Sequence, residues 1–161
     1  MVQEGLAIFR AVHDRYHPLR RNPWNEVECG AHYARSMASH GVYLAACGFE
    51  HHGPKGHLGF SPRLCPENFR AAFTAAEAWG SYSQRQEAGT LQAEIAVRWG
   101  NLRVATIHVQ VPDGTNASRV SAVLNGRAVP AQLQREGRGV TITLQKPVTC
   151  IAGQTLALAI T

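Results

Sequence analysis

The chain has no run of about 18 apolar residues, which excludes a membrane-spanning helix. Its start, MVQEGLAIFR, lacks a basic region followed by a long apolar stretch, so no secretory leader is read there and a cytoplasmic location is expected. The cysteines Cys29, Cys47, Cys65 and Cys150 form no C-x-x-C pair. Without an export signal they are expected as free, mostly buried thiols and not as a disulfide framework. For the same reason the sequon Asn116-Ala117-Ser118 carries little weight. No internal repeat and no low-complexity tract occurs. Nor do the arginines cluster on one element with aromatics between them, so nucleic acid is not an expected partner.

What is present fits a globular protein. The 161 residues (17.5 kDa) suffice for one domain, or for two small units sharing a core. Hydrophobic residues make up 45% and charged residues 17%, which rules out a disordered or fibrous chain. The net charge of +5 is uneven: residues 81–161 carry eight basic against four acidic side chains. Those basic residues are spread singly, as on a solvated surface.

The first part of the chain reads as helical. Leu6, Phe9, Val12 or His13, and Tyr16 recur at helical spacing, and His17-Pro18 ends the pattern. After the loop Leu19 to Trp24, Asn25 followed by Glu28 has the form of a capping box. A second helix is expected from there, with Val27, Ala31, Ala34, Ala38, Val42, Ala45 and Phe49 on one face. Gly48 stands at its C-terminus. Residues 50–68 read as a turn-rich connector in which Leu58-Gly59-Phe60 forms at most a short strand. Residues 69–84 stay open between helix and strand, since their alanines favour one and their alternation the other.

After Gly89 the period changes to two. Leu91, Ala93, Ile95, Val97 and Trp99 alternate with polar residues as on a half-buried strand. Gly100-Asn101 reads as a hairpin turn, with Leu102 to Val111 returning and an apolar phase slip near Ala105 that predicts a bulge. Pro112-Asp113-Gly114 is a turn. Asn125-Gly126 marks a second hairpin, and Pro130 argues for an edge. Two more strands flank Ala152-Gly153. The expected class is α+β: a helical pair over residues 1–61, then an antiparallel, sandwich-like β unit over residues 62–161.

The candidate chemistry has structural rivals. Glycoside hydrolysis uses two carboxyl groups roughly 5–9 Å apart. Nothing in the spacing of Asp14, Glu26, Glu28, Glu50, Glu67 and Glu77 marks a catalytic pair. Glu77, beside Trp79, is the acid whose neighbour best suits a site. Seven of the eight histidines lie in residues 1–80, and His51, His52 and His57 stand near Cys47 and His40. That cluster fits no recognised metal-ligand spacing, so no metal or other cofactor is expected. Cys29 and His32, three apart, could form a nucleophile pair, but a small apolar packing role suits Cys29 better.

Read as one string, Asn22-Pro23-Trp24-Asn25-Glu26-Val27-Glu28-Cys29-Gly30, then His32-Tyr33-Ala34-Arg35 and Met37-Ala38-Ser39, resembles glycoside hydrolase family 116. That family includes bacterial β-glucosidases and non-lysosomal glucosylceramidases. The resemblance continues through Gly48-Phe49, Gly53-Pro54, Leu58-Gly59-Phe60-Ser61-Pro62-Arg63 and Phe73-Thr74-Ala75-Ala76-Glu77-Ala78-Trp79-Gly80. It covers residues 5–84 and is loose beyond them. Ala78 stands where the family tends to have glycine, and His51-His52 where an aromatic-acid pair is usual.

The resemblance implies the last helices of an (α/α)6 barrel that cleaves β-glucosides with retention, followed by a β extension. The family's Glu nucleophile and Asp acid come from segments upstream of this block. It therefore implies that Glu26 and Arg35 grip the outer hydroxyls of a glucose unit. Trp24, Glu28, His32 and Glu77 are further candidates for supporting roles around them. An upstream polypeptide would complete the barrel, and the substrate class would be a β-glucoside or a glucosylated lipid. On one continuous helix Glu26 and Arg35 would face opposite ways, so Glu26 must lie at or before the helix mouth. The rival reading is a structural Glu28–Arg35 ion pair. The alternative function is a non-catalytic carbohydrate-binding or assembly module. In that module Trp99 would stack on sugars, against the simpler reading that it is buried in the core.

Overall fold

The alternation that begins at Leu91 builds the longest element of the molecule. The computed structural model describes residues 1–15, 19, 25–26, 30–31, 34–111, 113 and 117–161. In it strand β7 runs unbroken over Thr90–Gln110. Before it come α1 (Val2–Arg15), β1 (Asn25–Glu26), β2 (Gly30–Ala31) and α2 (Ala34–Cys47). Then follow β3 (Glu50–His52), a 3-10 turn (Gly53–Lys55), β4 (His57–Phe60), β5 (Asn68–Thr74) and β6 (Ala78–Glu87). After it come β8 (Val120–Leu124), β9 (Arg127–Val129), β10 (Ala131–Glu136), β11 (Gly139–Ile151) and β12 (Thr155–Ile160). Two helices and a large, mostly antiparallel sheet make the described chain α+β. Among the described residues no helix is long and apolar enough to cross a membrane.

The chain divides into two units, Met1–Ala45 and Ala46–Thr161. In the first, α1 forms where helical periodicity predicts it. None of its residues is buried, and Ile8, Phe9 and Val12 stand open. The second helix starts later than expected. Asn25 and Glu26 are extended and pair antiparallel with Ala31 and Gly30, so no helix begins at Asn25; Glu28, the other member of the expected capping box, lies outside the described residues. Gly30 supplies part of the reason, since a glycine inside a helix costs about 1 kcal/mol relative to alanine. Helix α2 does end as read: Gly48 follows it at φ +56. The Ser61 amide then donates to the carbonyls of Cys47 and Gly48, both at 3.1 Å.

In the second unit the stretch read as connector holds β3 and β4, both ahead of the expected boundary at 61/62. β4 lies parallel to β7, from His57 opposite Thr106 to Phe60 opposite Val109. That pairing explains why the stretch escaped notice: a four-residue strand held by a partner about 50 residues away carries no local period. Residues 69–84 resolve as strands. β5 and β6 pair from Asn68 opposite Arg85 to Thr74 opposite Trp79. Of the alanines that suggested helix, Ala71 and Ala72 are neighbours on opposite faces of β5 and Ala78 opens β6, while Ala75 and Ala76 lie in the link between the strands.

β7 serves two sheets. Its first half pairs with β6 and β12, and β12 carries β8 and then β9. Its second half pairs with β11 and β4, which carry β10 and β3. The sheet folds on itself around one core, in which Leu58, Tyr82, Leu91, Ile95, Ile107, Ile142, Leu156 and Ile160 are all sealed from solvent. Phe60 of β4 stacks on Tyr82 of β6 with centroids 3.9 Å apart, joining the two lobes.

Gly100-Asn101 is not a hairpin. The turn lies earlier, at Ala88-Gly89 (φ 48 and 78), and the left-handed pair Asn125-Gly126 (φ 47 and 82) makes the second hairpin as read. At Gly100 the strand instead bends and passes from one lobe to the other. Trp79 pairs with Trp99 but Gly80 pairs with Val97, leaving Arg98 as an extra residue in β7. One inserted residue reverses the alternation of side chains. Val97 is therefore buried whereas Trp99, expected in the core, is 59% exposed. The phase slip near Ala105 is real as well. Thr143 pairs with Thr106 and Val148 with Val104, so the irregularity lies on β11 opposite Ala105.

Cys65 and Cys150 are free thiols, the first exposed and the second fully buried. Burial pushes the Cys150 thiol up to about 11. Only the thiolate is nucleophilic. At pH 8 in the folded protein a maleimide is expected to label Cys65 within minutes and to leave Cys150 untouched until denaturant is added. Peptide mapping by mass spectrometry reads both sites, and native labelling of Cys150 would contradict its burial.

Candidate functional site

The residues implied by the family resemblance fall in the first unit. Glu26 lies in β1, paired through its backbone with Gly30, and Arg35 is the second residue of α2. Glu26 therefore does not share a helix with Arg35, and the objection that one helix would turn them apart does not apply. The side chains of both lie outside what the structure describes, as do Trp24, Glu28, His32 and Cys29.

The histidines near residue 51 are each engaged separately. His51 stacks over Phe49 with centroids 6.4 Å apart. His52 Nδ1 accepts from the Lys55 amide at 3.3 Å. His57 places Nδ1 2.8 Å from Thr106 Oγ1 and Nε2 3.5 Å from Glu50. Among the described residues no three His, Cys, Asp or Glu side chains converge as a metal site requires.

Glu77 has a different setting. It lies in the link 75–77 between β5 and β6, closed by the Ala75 amide donating to the Ala78 carbonyl at 2.8 Å. The Asn101 amide donates to the Glu77 carbonyl at 2.9 Å, pinning this link to β7. The approach requires glycine at 100: its φ is +77, and a Cβ there would stand 2.0 Å from the Glu77 carbonyl oxygen. The Glu77 carboxylate itself is exposed and, among the described residues, has no hydrogen-bond or ion-pair partner.

Opposite the link, the Arg103 guanidinium donates to the Pro54 carbonyl at 3.3 Å, which among the described residues leaves most of its donors open. Between these walls lies a cleft of about 320 Å³, lined by Glu77, Asn101 and Arg103 with His51, Pro54 and Leu102. The adjoining rung but one of the β6–β7 ladder is the Trp79–Trp99 pair, both side chains at least half exposed. Sequence reading singled out Glu77 through its aromatic neighbour but missed Asn101 and Arg103. Their position depends on the bend at Gly100.

Solved structures similar to this chain include three glycosidases. An α-L-rhamnosidase from Dictyoglumus thermophilum is 11% identical over 81% of this chain, with a TM-score of 0.41. A GH127 β-L-arabinofuranosidase from Geobacillus stearothermophilus T6 is 14% identical over 77%, at 0.43. A Streptomyces avermitilis α-L-rhamnosidase solved with L-rhamnose is 15% identical over 92%, at 0.46. The chain spans 14%, 17% and 13% of their respective lengths. No protein-family model and no curated protein matches the chain.

Proposed function

We propose that this chain is the C-terminal part of a retaining glycoside hydrolase of the family 116 type, a β-glucosidase or glucosylceramidase. Glu26 and Arg35 would hold the glucose unit, and the catalytic Glu and Asp would come from an upstream segment. A carboxylate and a guanidinium suit that task, because charged hydrogen bonds to fixed hydroxyls reject sugars with other stereochemistry. The reading begins from the residue-level resemblance over residues 5–84.

The structural observation that carries it is the open apolar face of α1. Among the described residues Ile8, Phe9 and Val12 stay exposed, although burying such side chains fully is worth roughly 1.5–3 kcal/mol each. An isolated helix of 14 residues is marginal in water. Helices of this kind fit the wall of a barrel whose other helices lie elsewhere in the polypeptide. A cytoplasmic setting and a β-glucoside or glucosylated-lipid substrate belong to the same proposal.

The purified 161-residue chain is expected to show no turnover of an aryl β-glucoside above the buffer rate. Measured hydrolysis that survives repurification and disappears in Glu26→Gln would overturn the assignment of the catalytic carboxylates to another segment.

A further inference from the structure

We infer that the cleft between Glu77 and Arg103, with the neighbouring Trp79–Trp99 pair, is a binding site for a neutral oligosaccharide. The site belongs wholly to the Ala46–Thr161 unit and contains neither Glu26 nor Arg35; of the residues read above as supporting the glucose contacts it takes only Glu77, which it assigns to a different ligand contact.

Four observations meet here. First, two tryptophans are register partners in an antiparallel ladder, which places their side chains on the same face. Trp79 is outward by the regular alternation of β6, and the extra residue Arg98 in β7 reverses the phase that would otherwise bury Trp99. Exposing two indoles forgoes a large hydrophobic gain, so an occupant that covers them recovers it. Second, the cleft carries polar groups of mixed type: the Glu77 carboxylate, without a partner among the described residues, the Asn101 amide, the Arg103 guanidinium and the His51 imidazole. One acidic and one basic side chain nearly cancel. A polyphosphate or polyanion gains little there, whereas a polyhydroxylated neutral ligand can both donate and accept.

Third, the concavity and the tryptophan pair are offset by two residues along each strand, roughly 7 Å. A ligand using both must be longer than one sugar ring. Fourth, Trp79, Trp99 and Ile151 are the large hydrophobic side chains that the described part of this unit exposes. A stable protein interface buries about 1,200–2,000 Å² around an apolar centre, and this surface offers no such centre. A pyranose with equatorial hydroxyls presents a flat C–H face to an indole and its hydroxyls to the rim. The indole face is electron-rich, which favours those polarised C–H groups. An equatorial linkage keeps successive rings in one extended ribbon that can span the cleft and the tryptophans, whereas an axial linkage curls the chain, so the ligand class is a β-linked glucan-type oligosaccharide.

The test uses the full chain with cellotetraose as probe and maltotetraose as control, read by calorimetry and by tryptophan fluorescence. Saturable binding of cellotetraose is expected. Trp99→Ala and Glu77→Gln should each weaken it about tenfold, which corresponds to the loss of one stacking or charged hydrogen-bond contact. Arg127→Ala, at an exposed position of β9 outside the cleft, should leave both affinity and fluorescence response intact. Glu77→Gln is isosteric and exposed, so a loss there cannot be ascribed to misfolding, and unchanged denaturation midpoints check the rest. No binding at millimolar cellotetraose, or binding unaffected by both substitutions, would overturn the site. So would loss of binding only in Glu26→Gln, which would move the sugar to the first unit and leave the glycosidase proposal standing. Concentration-dependent self-association that Trp99→Ala abolishes, without sugar binding, would show the tryptophans to be a protein contact instead.

Discussion

Tyr82→Ala is expected to cost about 3–5 kcal/mol, the largest loss from any single truncation in the β unit. Tyr82 is sealed from solvent and stacks nearly parallel on Phe60, with an interplanar angle of 3°. Phe60 in turn meets Phe49 at 5.3 Å and Phe73 at 6.0 Å, and Phe69 lies 6.3 Å from Tyr82, so removing the tyrosine takes away the ring that links Phe69 to the cluster around Phe60. Its hydroxyl donates to Gln84 Oε1 at 2.6 Å, and the Gln84 amide donates to the Pro66 carbonyl at 2.5 Å. Gln84 is 2% exposed, so the substitution also strands a buried acceptor.

Typical domains have only about 5–15 kcal/mol of stability in all, so urea denaturation should find Tyr82→Ala largely or partly unfolded at low denaturant. Tyr82→Phe separates the two contributions. It keeps the stack and loses only the hydroxyl, for about 1–3 kcal/mol. If both variants match the wild-type midpoint, the ring cluster does not hold the lobes together.

The same residue sets the alkaline limit. Burial raises the Tyr82 pKa far above its usual value of 10.0. The unfolded chain loses the phenolic proton near pH 10 while the folded one retains it. The contribution to stability is therefore complete below about pH 10 and falls as the pH rises beyond it. Cys150, raised from 9.0 to about 11, acts in the same direction from pH 9 upward.

Gly100→Ala should be nearly as damaging. An alanine must hold φ near +77 at a cost of roughly 1–2 kcal/mol, and its Cβ must also push away the Glu77 carbonyl oxygen. A clash with backbone cannot be relieved by a rotamer change, so a total of about 3 kcal/mol or more is expected. Gly89→Ala is the control. Its φ of +78 is the same, but nothing lies within 4 Å of the added Cβ, so only the conformational cost remains. Denaturation midpoints of the two variants should differ clearly. Equal midpoints would mean that the 75–77 link yields freely. Cellotetraose affinity should also fall in Gly100→Ala, because that link carries Glu77.

The residues show why part of this was readable and part was not. Strands whose alternation is local, Leu91 to Val97 and Leu156 to Ile160, and the turn at Asn125-Gly126 announced themselves. Elements stabilised from a distance did not. β4 depends on a parallel partner far along the chain, and residues 69–84 could not be assigned without the β6–β7 ladder. The tryptophan pair failed for a finer reason. Counting back from the turn at Ala88-Gly89 puts Trp79 opposite Arg98, and only the bulge moves it opposite Trp99. A single added residue turned a core prediction into a surface one. The second helix failed through a motif that was formally correct: Asn25 and Glu28 have capping-box spacing, but Asn25 is already in an extended pair with Ala31. The site residues Glu26 and Arg35 rest on resemblance alone, since their side chains lie outside the described structure.

A strand of 21 residues that is shared by both lobes has a consequence for how the unit comes apart. Neither lobe can release its half of Thr90–Gln110 without straining the other at the Gly100 bend. Cooperative opening units are usually contiguous, and here one continuous strand takes part in four ladders, with β4, β6, β11 and β12. Amide protons at Ile95 and at Ile107, one in each lobe, should therefore exchange with the same free energy, that of global unfolding. The pairings that flank this strand are also far apart in sequence, from β4 to β12, so the barrier to folding is dominated by closing long loops. The unit should fold slowly and, once folded, unfold in a single step.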